Sequence, residues 1–486
     1  MPSVQAEIAA AVKAAERSLA DEAAGRGPRS GLRVPVTVVV MGRDYGRYLG
    51  DCLASVGRLD PAPAQVVYVD NGSADDSLTV ATRAGVEWTR LRVGGTPGAA
   101  RNRGAEAARS PWLVFLDADD LVPTDYLGAL YAEAADGVDV VYPRVVRFGV
   151  ERGLGPFLPE ASRGDLLEGN WIPVASLVRR EAFDAAGGWG DEPYYQDWAL
   201  WLAMQRGGGR LVGAGDARLL VRTHPGSLTS QVRSHLPGYQ SVLRSQPLTV
   251  FSAFGPDRPW LVEAHCRRLL AFAHRRPGAQ HVLVDNTCDG AASASLRRYA
   301  GLLEVSPEDF LEDRERVSWS TPAERAARVP RKMAALWEAG RSRWRGDFVL
   351  SWETDVEPSQ GRGPERLYEG FAPDVAAVSG LIRSRQEGHH WLALRRLPGG
   401  MVPAAWPGGA PEPPQDGCVD VDACGVGLFL FRRHDLAGCD WPTGGPGAAY
   451  TGHDFGLCAW LAERGRRVLL HCGARCRHWL DEEEWV

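Results

Sequence analysis

Along the first half of the chain, apolar runs of strand length alternate with polar turns and with stretches of helical spacing. Val34 to Met41 (VPVTVVVM) is a β-branched run and predicts the first strand. The polar loop Gly42 to Gly46 follows, and Tyr48 to Val56 then carries apolar residues at helical spacing. Gln65 to Val69 predicts a second strand. It runs into the polar turn Asp70 to Asp76, which ends in a helix start. Gly94 to Gly104 (GGTPGAARNRG) is a glycine-rich loop entering another helix. Pro111 to Pro123 (PWLVFLDADDLVP) comes next, and its apolar run Trp112 to Leu116 fits a strand buried on both faces. That run stops at three carboxylates, Asp117, Asp119 and Asp120.

This pattern carries candidate chemistry. In open α/β sheets, ligands bind at the carboxyl ends of the strands. Two carboxylates flanking one residue, Asp117 and Asp119, can share a hard divalent cation, and that cation can carry a diphosphate. A solvated Asp-rich turn is the other reading. In the glycine-rich loop, backbone donors with Arg101, Asn102 and Arg103 can cradle phosphates, or they can be an ordinary helix start.

The second half repeats the pattern more weakly. Leu248 to Phe254 is a strand, and His281 to Gly290 parallels Val66 to Asp75, so Asp285 matches Asp70. Asp347 to Pro358 parallels the strand and acid cluster ending at Pro123. Aligning the two prolines puts Asp355 on Asp120 and Glu353 on Ala118, and Glu353-Thr354-Asp355 still sets two carboxylates about one residue. A charged stretch from Glu308 to Arg345 reads as a long helix, and Val419 to Phe431 as one strand. Asp454 stands at a helix start within Gly452 to Leu461, and Val468 to Trp479 ends just past His478. Leu397 to Asp416, rich in Pro and Gly, reads as a loop or lid over a second site.

A chain of 486 residues exceeds one ordinary core. The expected division is an Ala-rich helix and linker over 1–30, a first domain over 31–245 and a second over 246–486. Apolar and charged fractions of 44% and 24% are those of a soluble globular protein. The net charge of −6 gives no support to a general nucleic-acid surface. At Arg328 to Gly346 six basic residues accompany Trp337 and Trp344 and could grip diphosphate, an anionic acceptor or nucleic acid; a solvated helix face is the other reading. No apolar run approaches membrane-spanning length and no signal-peptide core opens the chain, so no transmembrane segment is expected. Nine irregularly spaced cysteines point to a reduced, cytoplasmic protein. The spacing of Cys458, Cys472, Cys476 and His478 is not that of a zinc site.

The order of strand, VDNGSADDS, GGTPGAARNRGAEAA and PWLVFLDADDLVP resembles the nucleotide-sugar-binding half of family 2 glycosyltransferases, which have the GT-A fold, over about residues 34 to 230. The resemblance implies that Asp70 contacts the base and Arg101 lies on the donor side. Asp117 and Asp119 would form the DXD motif, holding Mn²⁺ or Mg²⁺ against the donor diphosphate. Tyr194 to Leu202 resembles the family's Glu-Asp-Trp segment, with Gln196 in place of the first acid and Asp197 at the general-base position; a helix cap is its other reading. Arg222 to Thr229 resembles the closing segment, where His224 reaches the metal or diphosphate or is structural. Carried onto the repeat, Asp285 matches the base contact, Glu353 and Asp355 with His478 the metal site, and Asp454 the base.

The implied architecture is α/β, two tandem GT-A domains with mostly parallel, Rossmann-like sheets behind an N-terminal helix. The implied activity is metal-dependent, inverting transfer from a nucleotide-diphosphate sugar, UDP-linked by family habit, to an acceptor hydroxyl. Two domains would suit two transfers in polysaccharide or glycan synthesis. The acceptor stays open among carbohydrate, lipid-linked and hydroxymethylated-DNA acceptors of the phage type. A non-catalytic carbohydrate-binding scaffold with vestigial sites is the reading from another class.

Overall fold

The structure is a computed structural model. It describes residues 30–90, 95–192, 194–225, 227, 236–315, 317, 320, 322–359, 363–382, 393–397, 400–403, 412–441 and 453–479. The expected helix over 1–30 lies outside the described residues except for Ser30. The chain divides into two compact units, 1–242 and 243–486.

The first unit opens with β1 (Arg33–Gly42), α1 (Gly46–Gly57), β2 (Ala62–Asp70), α2 (Ser77–Arg83), β3 (Glu87–Arg90), α3 (Pro97–Ala107) and β4 (Trp112–Asp117). It continues with α4 (Tyr126–Ala132), β5 (Val140–Gly149), β6 (Gly153–Leu154), α5 (Arg163–Glu168), β7 (Leu177–Arg179), α6 (Arg180–Ala185), α7 (Gln196–Arg206) and β8 (Leu211–Thr223). Helix α8 (Leu236–Ser245) spans the division between the units. The sheet order is β3-β2-β1-β4-β7-β5-β6, with β8 beside β5. The first four strands are mutually parallel, β7 is antiparallel to both β4 and β5, and β8 is parallel to β5.

Burial on both faces explains the continuous apolar runs. Val36, Val38, Val39 and Val40 of β1 and Leu113 to Leu116 of β4 are all buried. Thr96 caps α3 by accepting from Ala99 N, and Pro97 takes the first helical position, where its missing N–H costs nothing. The helix sits close on the sheet at Gly104, where an added Cβ would stand 2.2 Å from Val39 Cγ1 and 3.0 Å from Val69 Cγ2.

The second unit contains β9 (Leu248–Phe254), α9 (Leu261–Arg275), β10 (Gln280–Asp285), α10 (Gly290–Leu302), β11 (Phe310–Glu312), α11 (Pro322–Arg341), β12 (Phe348–Trp352), β13 (Val356–Pro358) and α12 (Gly363–Arg366). Then come β14 (Val375–Ile382), β15 (Ala393–Leu397), β16 (Gly400–Pro403), β17 (Cys418–Val421), β18 (Ala423–Cys424), β19 (Leu428–Arg432), α13 (His453–Ala462) and β20 (Arg467–His478). Its main sheet runs β11-β10-β9-β12-β19-β14-β20-β13, with β17 beside β20. Strands β11, β10, β9, β12, β19, β14 and β20 thus stand where the first unit has β3, β2, β1, β4, β7, β5 and β8. Each of these pairings has the same direction in both units.

Three sequence expectations need correction here. Glu308 to Arg345 is not one helix: Phe310–Glu312 pairs parallel with β10 as the edge strand, and α11 occupies only Pro322–Arg341. Charge made the stretch look uniformly helical, whereas the short Phe310-Leu311 pair is what joins the sheet. Val419 to Phe431 is three strands rather than one, interrupted where Gly425 and Gly427 stand. Within Leu397 to Asp416, residues 400–403 return antiparallel along β15 as a hairpin, while 404–411 lie outside the described residues. Trp337 and Trp344 of the basic segment belong to the core of the second unit, packed with Phe251 and Phe431.

Candidate active site

The register of the two sheets fixes which acids correspond. Gly42 pairs with Asp70 and Met41 with Asp117 in the first unit. In the second, Phe254 pairs with Asp285 and Phe251 with Ser351, and continuing that register two residues past its last pair sets Ala253 opposite Glu353. Superposing Asp70 on Asp285 therefore sets Glu353 on Asp117 and Asp355 on Asp119. The proline alignment, which put Glu353 on Ala118 and Asp355 on Asp120, is one residue out, because the segment between the acids and the proline is shorter in the second unit.

In the first unit, Asp117 ends β4 and is reached by Arg101 from α3, whose Nη2 donates to its Oδ1 at 2.9 Å. The other arm of Arg101 donates to Gln196 Oε1, also at 2.9 Å, at the first turn of α7. The guanidinium also lies over the Trp189 ring. One buried arginine thus ties the acid strand tip to the helix that carries Asp197. Asp197 itself is half-buried. Its Oδ2 accepts from Asn170 Nδ2 at 2.9 Å and its Oδ1 from the Trp198 N–H at 2.8 Å. Burial raises its carboxyl above the usual range, against those hydrogen bonds and Arg101, and Asp117 pushes the same way as burial. Tyr195, just before α7, holds φ +62°, a left-handed conformation uncommon for a bulky residue.

Asp119 is buried and accepts from, or shares a proton with, His224 Nε2 at 3.0 Å. Burial and then Asp117 raise its carboxyl, while His224 opposes them. Burial raises Asp120 strongly, followed by Asp119 and Asp117. Asp120 Oδ1 accepts from the Arg222 N–H at 2.9 Å, and Arg222 Nε donates to Asp119 O at 3.0 Å, which pins the end of β8 to the acid turn. Tyr45 and Tyr48 ring His224, with centroids 5.9 and 4.9 Å away. Burial and the three acids together raise the Tyr45 hydroxyl.

Asp70 is fully buried at the tip of β2, its two oxygens each 3.3 Å from the Ser73 N–H. Next to it, Asn71 clamps the glycine-rich loop, donating to Gly95 O at 3.0 Å and accepting from Gly95 N at 2.9 Å.

The second unit repeats these roles. Asp285 is fully buried and accepts from Thr287 N and Oγ1, and Arg314 comes within 3.6 Å of it. Asn286 donates to Asp313 O and Glu315 O, holding the segment after β11 as Asn71 holds Gly95. Asp355 stands 3.7 Å from His478 Nε2 and 2.6 Å from Arg258 Nη1. Asp454 is the second residue of its helix, as Asp197 is of α7; its side chain lies outside the described residues. A cavity of about 460 Å³ runs along α13, lined by Asp440, Gly456, Trp460, Glu463 and Arg464.

A hard divalent cation suits the donor set in chemistry. Carboxylate oxygens from Asp117 and Asp119 with one imidazole are usual ligands, and like charges crowded in a buried turn favour one. The ligand atoms are not drawn into one cluster: those of Asp117, Asp119 and His224 do not all lie within 4.8 Å of one another. Arg101 holds the first acid, and His224 is bonded to the second.

Sequence reading missed several of these residues. Gln196 looked like a lost acid, yet it anchors Arg101. The Asp-Asn pair repeated at 70–71 and 285–286 was the available signal for the two asparagine clamps. Asn170, Arg222 and Arg258 were assigned no role of their own, since their partners lie far along the chain.

Residues 37–183 match the family model described as Glycosyl transferase family 2. The first unit therefore carries a family 2 glycosyltransferase domain. The chain is 33% identical over 111 residues to the succinoglycan biosynthesis protein ExoU of Rhizobium meliloti, covering 22% of this chain and 32% of that protein. It is 31% identical over 110 residues to EpsH of Bacillus subtilis, again 22% and 32%. The match thus spans about a third of the length of these relatives. Among solved structures, S. aureus TarS residues 1–349 in complex with UDP-GlcNAc is similar at 16% identity and a TM-score of 0.38, covering 43% of this chain and 64% of that one. No helix among the described residues is long and apolar enough to cross a membrane.

Proposed function

We propose that this protein is an inverting, metal-dependent glycosyltransferase that moves a sugar from a nucleotide-diphosphate donor, UDP-linked, to an acceptor hydroxyl. The observation that carries the reading is Arg101, which joins the strand-tip acid Asp117 to the first turn of the helix bearing Asp197. Donor-side and acceptor-side groups are thereby held in one site. Mn²⁺ or Mg²⁺, held by Asp117 and Asp119 with His224 beside them, would neutralise the departing diphosphate. Asp70 would contact the base. Asp197 would take the proton of the attacking hydroxyl. Its raised carboxyl is better suited to that than an ordinary one, and Asn170 and the Trp198 N–H fix its direction.

In the second unit Asp285, Glu353, Asp355, His478 and Asp454 would serve a second transfer. Two transfers by one chain suit glycan or polysaccharide synthesis. ExoU, a relative by the matched segment, is named for succinoglycan biosynthesis. A DNA acceptor is the weaker reading. Within the basic stretch Lys332 pairs with Asp313 and Glu315, Arg341 with Glu338, and Arg345 with Glu308 and Asp309. Charges paired in this way have little left for phosphates. The test is incubation with a panel of nucleotide sugars and Mn²⁺, reading released nucleotide diphosphate. Release with at least one donor is expected; no release with any donor from folded protein would leave the scaffold reading in its place.

A further inference from the structure

Helix α3 meets the stretch that leads into α7 along one face. Gly98, Arg101 and Asn102 stand at i, i+3 and i+4 of that helix and share this side. An added Cβ on Gly98 would stand 1.9 Å from Gly190 O, so the two backbones are in direct contact. Asn102 Nδ2 donates to Trp189 O at 2.8 Å, and Asn102 Oδ1 accepts from the Trp189 N–H at 2.9 Å. Arg101 lies over the Trp189 ring and donates to Gln196 Oε1. At the helix cap, Thr96 Oγ1 donates to Asp191 Oδ1 at 3.0 Å. Trp189 is buried, its ring packed on Phe115, Phe183 and Trp201. Gly187 and Gly188, at φ +87° and +73°, stand before it, and Tyr195, at φ +62°, comes just before α7.

We infer that Asn102 is a positioning residue for the acceptor side of the first site. The inference rests on the proposed reading of Asp197 as the base. A phosphate cradle at Asn102 does not fit, because both ends of its amide are turned to one residue of the opposite segment. Left-handed backbone at Gly187 and Gly188 is open to glycine without directing the chain, and at Tyr195 it must be imposed by contacts. The path of the segment is therefore set by what it touches on α3. An amide that reads the N–H and the C=O of one residue fixes register, since a slip by one residue breaks both bonds at once. Trp189, so held, keeps its ring under Arg101, and Arg101 in turn holds Gln196, the neighbour of Asp197. Replacing Asn102 by Ala leaves a buried N–H and C=O unpaired, which favours a shift of the segment towards water. Asp197 then loses its aim, while Asp70 and Asp117, which end β2 and β4, keep theirs.

The experiment uses the full chain. UDP titrated with Mn²⁺ by calorimetry reads the donor side. Release of nucleotide diphosphate from the nucleotide sugar active in the panel above gives kcat and donor KM, measured in an Asp355→Asn background so that release reports the first unit. In Asn102→Ala, kcat is expected to fall tenfold or more, with donor KM and UDP Kd within twofold of the parent chain. UDP binding weakened tenfold or more would return Asn102 to the phosphates and overturn the inference, as would an unchanged kcat. A further readout needs no variant at position 102. In hydrogen exchange of the unaltered chain, the Trp189 amide is expected to exchange at least a hundredfold more slowly than a free peptide; exchange at the free rate would also overturn the inference. No release from the Asp355→Asn background with any donor would overturn the reading of the first site itself, and the inference with it.

Discussion

At the scale of residues, the proposed first site sets opposing charges at fixed distances. Asp197 has its two oxygens fixed by Asn170 and the Trp198 N–H. Losing a positioned base typically costs 10²- to 10⁴-fold in rate. Asp197→Asn should therefore lower kcat by about 10²-fold or more with little change in donor KM, read by steady-state kinetics; an unchanged kcat would reduce Asp197 to a helix-start residue. Asp119 makes a separate prediction through stability. Its carboxyl is raised by burial and Asp117, with His224 pulling it down. A carboxyl raised on folding contributes its full stability below the unfolded value of about 3.9, and that contribution is lost as pH climbs through the raised folded value. Without metal, the Tm of the unaltered chain minus that of Asp119→Asn should fall as pH rises above about 4. A pH-independent difference would mean that Asp119 is not strained by its neighbours.

Elements set where those residues stand. Helix α3 delivers Arg101, and its approach depends on Gly104 lying against Val39 and Val69. Overpacking a filled core costs about 1–3 kcal/mol. Gly104→Ala should destabilise the first unit by that order in urea unfolding and weaken the Arg101 link between strand and helix; full stability would show that α3 can shift without cost. Most of the strands and helices were legible, because β-branched runs such as Val34 to Met41 are buried on both faces and polar turns bound them. Elements of low contrast were not. Phe310–Glu312 is three residues hidden in a charged stretch, and the glycine interruptions between β17 and β19 are invisible to apolar content. Asp117, Asp119, Asp197 and His224, the residues proposed for the first site, were read from motif order. The arginine and asparagine clamps could not be, because each joins positions that only the sheet brings together, such as Arg101 and Gln196.

For the whole molecule, the repeated strand order is the observation that matters. Two units with the same neighbours and the same directions carry acids at corresponding strand tips. If each unit performs one transfer, Asp119→Asn and Asp355→Asn should each remove a different step. Product analysis by mass spectrometry would then show two distinct truncated products. Identical products from both variants would contradict a division of labour between the units.

The acids at the tip of β4 are proposed to grip a cation that grips the donor. That grip is tested most directly by Mn²⁺-stimulated release of nucleotide diphosphate from a donor sugar, compared between the unaltered chain and Asp119→Asn, with circular dichroism confirming that both are folded. Stimulation by Mn²⁺ should disappear in Asp119→Asn. Undiminished stimulation in that variant would contradict it.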